Sequence, residues 1–237
     1  MNQTIIIGGG SSIKEGILLG LQEKLKSTFN VGINYAYKFF DCSILVCVDR
    51  PFYERNKKEI KSIPLIICRH FDNVEYLDNT ISIVGIHGTY RRNLVEGVYS
   101  PRYSGMFALS LAIFCSEPGD EIYLLGYDYN YKGKTENGRY FTHFYQGKIE
   151  HRGVGRISQF RPENARRDYE PFKWEREVKI YNVSLTSLIP YFDKISYEEF
   201  FKRIKPISDK KERLERWTEK LENNKWRSHI FYDWRKK

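Results

Sequence analysis

The chain has 237 residues, 41% of them hydrophobic and 29% charged, with a formal net charge of +9. This suits one large packed domain with an appendage, and no apolar run reaches the ~18 residues that a membrane span needs. Cys42, Cys47, Cys68 and Cys115 lack CxxC or metal-ligand spacing and read as reduced thiols of a cytoplasmic protein. The positive excess is either a solvated basic surface or a draw for anionic partners: nucleotides, nucleic acid or an acidic membrane face.

The first strand is expected at Thr4–Ile7, almost at Met1, so no signal peptide is expected. It is apolar throughout, as expected of a strand buried on both faces. It runs into Gly8-Gly9-Gly10-Ser11-Ser12. Helical spacing follows over Ser12–Thr28 (Ile13, Ile17, Leu18, Leu21, Leu25), with Ser12 and Glu15 in capping-box positions. Further strands are expected at Asn30–Asn34, Ile44–Val48, Pro64–Cys68 and Ile81–Val84, with a polar helix at Phe52–Ile60. Gly105–Ser116 is an apolar, hence buried, helix. Glu121–Leu125 is the next strand and ends in GYDYNY. Residues 131–162 read as a long loop region. Arg166–Glu177 has helical character, Val178–Val183 is a last strand and Ser196–Ile204 a short helix. Strands alternating with helices give an α/β fold with a mostly parallel sheet. Ligands of such sheets sit at the strands' carboxyl ends. Gly8–Ser12, Asn34, Asp49 and Asp128 all fall there.

The glycine run fits neither common phosphate-loop template. Ile13 stands where GxGxxG needs its third glycine, and Lys14 has no glycine before it. Its physics still suits a nucleotide: glycines let the backbone approach an anion, and the helix that follows points N–H groups at it. The alternative is a tight strand-to-helix turn.

Apolar strand plus GGGSS, then GIN, VCVDR, RYSGMFALSLAI, EIYLLGYDY and IYNVSLTSLIPYF occur in this order. The set resembles the Rossmann-like group of bacterial family 42 sialyltransferases, motility-associated flagellin glycosyltransferases and archaeal 6-hydroxymethyldihydropterin pyrophosphokinases. The resemblance covers roughly residues 4–204. Gly8, Gly10, Ser12 and Ile13 match the group's first loop, while Ser11 replaces its proline. It implies a single Rossmann-like domain, a glycosyltransferase A-like variant, over residues 1–204; by composition, a basic helical tail is expected over 205–237. It further implies a metal-independent glycosyltransferase that takes a nucleotide sugar as co-substrate. Gly8, Gly9, Gly10, Ser11, Ser12, Asn34, Asp49, Ser104 and Gly105 would contact the nucleotide. Asp49 departs from the sialyltransferases in charge. Arg102 could pair with a donor phosphate. Tyr129 and Tyr131 would support the departing phosphate, and Asp128 would orient the loop or bind the acceptor. A histidine, His151 in preference to His143 by spacing, would be the general base. The pyrophosphokinase branch implies instead that Asp49 and Asp128 hold Mg²⁺ for transfer from ATP. A nucleotide-binding protein without catalysis is a third reading. The acceptor could be a glycan, a protein or a modified nucleic acid.

The tail, residues 205–237, has eleven Lys/Arg against six Asp/Glu. Leu214, Trp217 and Leu221 share one helical face. That face either packs on the domain, lies on a membrane surface or stacks on nucleic acid. A small glycan acceptor would leave residues 207–237 dispensable for turnover.

Overall fold

The computed structural model describes residues 1–86, 98–99, 103–129, 143–145 and 162–223. Eight strands form one sheet: β1 (Gln3–Ile7), β2 (Asn30–Ile33), β3 (Ile44–Cys47), β4 (Leu65–Arg69), β5 (Thr80–Ile83), β8 (Glu121–Leu125), β9 (Lys179–Asn182) and β10 (Asp193–Lys194). Two short strands, β6 (Gly85–Ile86) and β7 (Val98–Tyr99), pair apart from it. The helices are α1 (Ile13–Leu18), α2 (Leu21–Leu25), α3 (Arg50–Ile60), α4 (Ser104–Cys115), α5 (Pro162–Tyr169), α6 (Tyr197–Arg203) and α7 (Lys210–Glu222).

The strand order is β10-β9-β8-β1-β2-β3-β4-β5, and every pairing is parallel. The α/β, Rossmann-like arrangement is thus realised with a fully parallel sheet. From β1 the chain steps outward to β5, then returns through α4 to β8 on the other side of β1. The order reverses between β1 and β8, and ligands of open parallel sheets bind at the carboxyl side of such a reversal. The all-apolar strands earn their pattern by burial on both faces. Ile5 and Ile7 pack with Ile13, Leu21, Leu25, Phe52, Tyr53 and Phe200 on one face. Ile6 packs with Phe107, Leu111, Trp217 and Leu221 on the other. Helix α4 touches β1, β2 and β3 on one side and α7 on another, so a helix apolar all round is the stable choice there.

Three expectations are corrected. Ser12–Thr28 is two helices, because Gly20 takes a left-handed φ of 88° and turns the chain between α1 and α2. The Ser12–Glu15 capping box is not formed: Ser12 is helical in φ and ψ and makes no side-chain cap, its hydroxyl being drawn to Asp128. The helix expected at Arg166–Glu177 starts earlier, at Pro162, and tightens into a 3-10 turn over Glu170–Trp174, where Pro171 removes a backbone donor.

The described part of the tail is a core element. Asp209 caps α7 through the Glu212 N–H at 2.8 Å. Trp217 and Leu221 are buried, with the Trp217 ring 5.5 Å from that of Phe29. Arg213 is buried too. It donates to the Gln3 carbonyl and the Thr4 hydroxyl, both at 2.7 Å, and its guanidinium lies 4.5 Å from the centre of the Phe29 ring. Lys220 pairs with Glu117. Trp217 is therefore not available for a membrane surface or a nucleic-acid base. Removing α7 would bare the outer side of α4. Trp226 and Trp234 lie outside the described residues. No described helix is long and apolar enough to cross a membrane.

Candidate functional site

The site is built where β1, β2, β3 and β8 end. The Gly8–Ser12 loop leaves β1 and is held at once by the turn after β8. Gly8 N–H donates to the Leu125 carbonyl at 2.7 Å and Gly10 N–H to the Gly126 carbonyl at 2.9 Å. A Cβ on Gly10 would stand 2.5 Å from the Gly126 carbonyl oxygen and 2.6 Å from Asp128 Oδ2, so only glycine fits. Asp128 is buried. Its Oδ1 accepts from the Ser12 hydroxyl at 2.5 Å. Its Oδ2 accepts from Ser12 N–H at 2.7 Å and from the Ser11 hydroxyl at 3.3 Å. These three contacts hold the loop against the turn after β8. Tyr197 lies buried beneath, its ring against Gly16. Burial, and after it the Asp128 charge, push its phenol's ionisation upward.

His143, Phe144 and Tyr145 cross the loop from above. Phe144 N–H donates to the Gly9 carbonyl at 2.7 Å, and the His143 ring lies so close to Gly9 that a Cβ there would run into its Cδ2. Phe144 and Tyr145 are buried among Tyr35, Phe39 and Phe40, and the His143 ring stacks on Tyr145 at 5.0 Å. Two apolar anchors therefore fix the imidazole over the loop. Burial is the main cause that raises the Tyr145 phenol's ionisation, with smaller contributions from Tyr35 and Asp49. Asp49 is exposed just beyond β3, and its carbonyl accepts from Phe52 and Tyr53 at the start of α3.

On the other side of the loop stand Asn34 and the start of α4. Asn34 follows β2 with a φ of 49°, uncommon for a residue with a side chain and a marker of constraint. Its amide donates to the buried Ser104 hydroxyl at 3.4 Å, and its Oδ1 is buried without a hydrogen-bond partner. Gly105 packs against Tyr127 and Tyr169, and Tyr127 donates to the Gly105 carbonyl at 2.9 Å. Tyr129 also has a positive φ, 51°, and its hydroxyl donates to that of Tyr169 at 3.3 Å.

One rim thus brings together Gly8, Gly9, Gly10, Ser11, Ser12, Asn34, Ser104, Gly105, Asp128, Tyr129 and His143, with Asp49 at its edge. His151, Arg102 and Tyr131 lie outside the described residues. Sequence reasoning missed Tyr169 and Tyr197, for which the sequence carries no signal. It also gave no task to Asn182 and Ser187, although both fall in the quoted IYNVSLTS stretch. Asn182 donates to the Tyr127 carbonyl at 3.1 Å and to the Ser187 hydroxyl at 2.9 Å, and Ser187 donates to the same carbonyl at 2.7 Å. They brace the turn that carries Asp128 and Tyr129. Among the described residues no group of three or more His, Cys, Asp or Glu is placed to hold a metal ion. Compared with known proteins, the chain matches no family model, no curated protein and no solved structure.

Proposed function

We propose that the protein is a glycosyltransferase that moves a sugar from a nucleotide-sugar donor to an acceptor hydroxyl, with His143 as general base. The reading is supported above all by the placement of His143, whose imidazole is anchored over the glycine loop at the β1/β8 reversal. The nucleotide lies along the rim over Asn34 and the start of α4. There the Asn34 Oδ1, buried without a partner, offers an acceptor to a base or ribose N–H or O–H. His143 takes the proton of the acceptor hydroxyl as that oxygen attacks the anomeric carbon from the face opposite the nucleotide. The bond from the anomeric carbon to the phosphate oxygen breaks, and the nucleotide leaves with the electron pair. Imidazole suits this step because its ordinary pKa lies near neutral pH. The tyrosines around Gly105 close the apolar side of the rim.

In the pyrophosphokinase alternative Asp128 would hold Mg²⁺. Both of its oxygens already accept hydrogen bonds from the glycine loop, which favours the transferase.

A melting-temperature screen with CMP-, CDP-, UDP- and GDP-linked sugars tests the reading. A cognate donor at saturation raises the midpoint by roughly 5 °C. Silence from every donor class would remove the reading, and turnover abolished by EDTA would transfer support to the pyrophosphokinase.

A further inference from the structure

The Gly8–Ser12 loop has the composition of a phosphate cradle, yet its groups face protein. Of its backbone N–H groups, those of Gly8, Gly10 and Ser12 already have acceptors in Leu125, Gly126 and Asp128. The space above each glycine is also filled: by the Gly126 carbonyl at Gly8, by the His143 ring at Gly9 and by Gly126 with Asp128 at Gly10. The buried Asp128 carboxylate takes the Ser12 N–H and both serine hydroxyls, the donors an incoming phosphate would use. Only the Gly9 and Ser11 N–H groups are without a protein acceptor among the described residues, and a phosphate on them would meet a charge of its own sign. The same loop grips the His143 segment twice, through the Gly9 carbonyl and through the bare face of Gly9.

We propose that the Gly8–Ser12 loop is a mount for His143, with Asp128 as its internal hydrogen-bond acceptor, and that it does not hold the phosphate of a nucleotide. Gly9 and Asp128 then act as positioning residues. Asp128 fixes the loop, the loop fixes Gly9, and Gly9 is glycine to admit the imidazole. The inference deepens the glycosyltransferase reading, since it concerns the histidine that reading uses, but its test needs neither donor nor turnover, so the two can fail separately.

The test has two arms. In the first, ¹⁵N-labelled full-length protein is titrated with inorganic pyrophosphate, and the amide resonances of Gly8–Ser12 are expected to stay in place. In the second, melting temperatures are measured for Gly9→Ala, His143→Ala and the double variant. Gly9→Ala alone is destabilising because its methyl meets the imidazole, and His143→Ala relieves the collision. The expected non-additivity is roughly 4 °C or more. Saturable movement of the loop amides with pyrophosphate, or a cycle that adds within error, would overturn the proposal.

Discussion

The two ends of the central sheet are built to opposite standards. At the amino end polar groups are closely matched. Asn2 N–H donates to Asp120 at 2.6 Å, Gln3 donates to Glu121 at 2.8 Å and to the Arg203 carbonyl at 3.0 Å, and Lys205 N–H returns to Gln3 at 2.8 Å. Arg213 closes the set from α7. The carboxyl end carries the strain. Asn34, Asn73 and Tyr129, the non-glycine residues with positive φ among the described residues, all lie in segments that follow strand ends. Buried atoms without partners gather there as well: Asn34 Oδ1, His70 Nδ1, Asn182 Oδ1 and Ser184 Oγ. Constrained backbone and unmatched buried groups persist where the surrounding structure enforces them, and they cluster at sites of function. The amino end therefore holds the fold, and the carboxyl end is where the proposed donor site lies.

That division can be broken by mutation, and the largest effect is expected at the carboxyl end. His143→Ala is expected to lower turnover by about 100-fold or more, the range for loss of a general base, with the melting temperature within a few degrees of the parent. A comparable loss of stability with turnover preserved would return His143 to a packing role. At the other end, Trp217→Ala is expected to lower stability by about 3–5 kcal/mol, measured by denaturant unfolding, while nucleotide affinity per folded molecule is unchanged. Asn34→Gly separates the two functions at one residue. It relieves the positive φ, so stability holds or rises slightly, while loss of the buried acceptor weakens nucleotide binding by about tenfold.

The smallest effect concerns the thiols. Burial pushes Cys42 and Cys68 up to about 12 from an ordinary 9.0, and Cys47 well above it. The folded thiols thus stay protonated where unfolded ones ionise. Their contribution to stability is complete below pH 9 and declines as the pH rises from there toward 12. Native protein at pH 8 is expected to leave a thiol reagent unreacted until denaturant is added. Rapid native-state labelling would contradict the burial of these strands.

The fold was legible because its signals are local. Unbroken apolar strands such as Ile5–Ile7 and Ile44–Val46 admit few other readings, and GMFALSLAIFC is too apolar for anything but a covered helix. The break at Gly20 was not legible, since Leu18, Leu21 and Leu25 keep a helical spacing across it. The burial of Trp217 was half legible: the face was visible, but the surface that receives it, Phe29 and α4, is set by tertiary packing. At the site, the rim positions of the glycines, Asn34 and Asp128 followed from strand ends alone. The placement of His143 did not. Spacing favoured His151, which lies outside the described residues, and the Phe144–Tyr145 anchor that places His143 over Gly9 depends on Tyr35, Phe39 and Phe40, a hundred residues away in sequence. The partner of Asp128 was equally hidden, because a serine that looks like a helix cap and one that serves a distant carboxylate read alike.

The most direct measurement is a crystal structure of the full chain grown with the donor that most raises its melting temperature. The nucleotide is expected on the carboxyl rim, hydrogen-bonded to Asn34 with the start of α4 beside it, and the sugar's anomeric carbon turned toward His143. A nucleotide seated at the amino edge, on the α7 face, or with His143 turned away from the sugar would contradict the account.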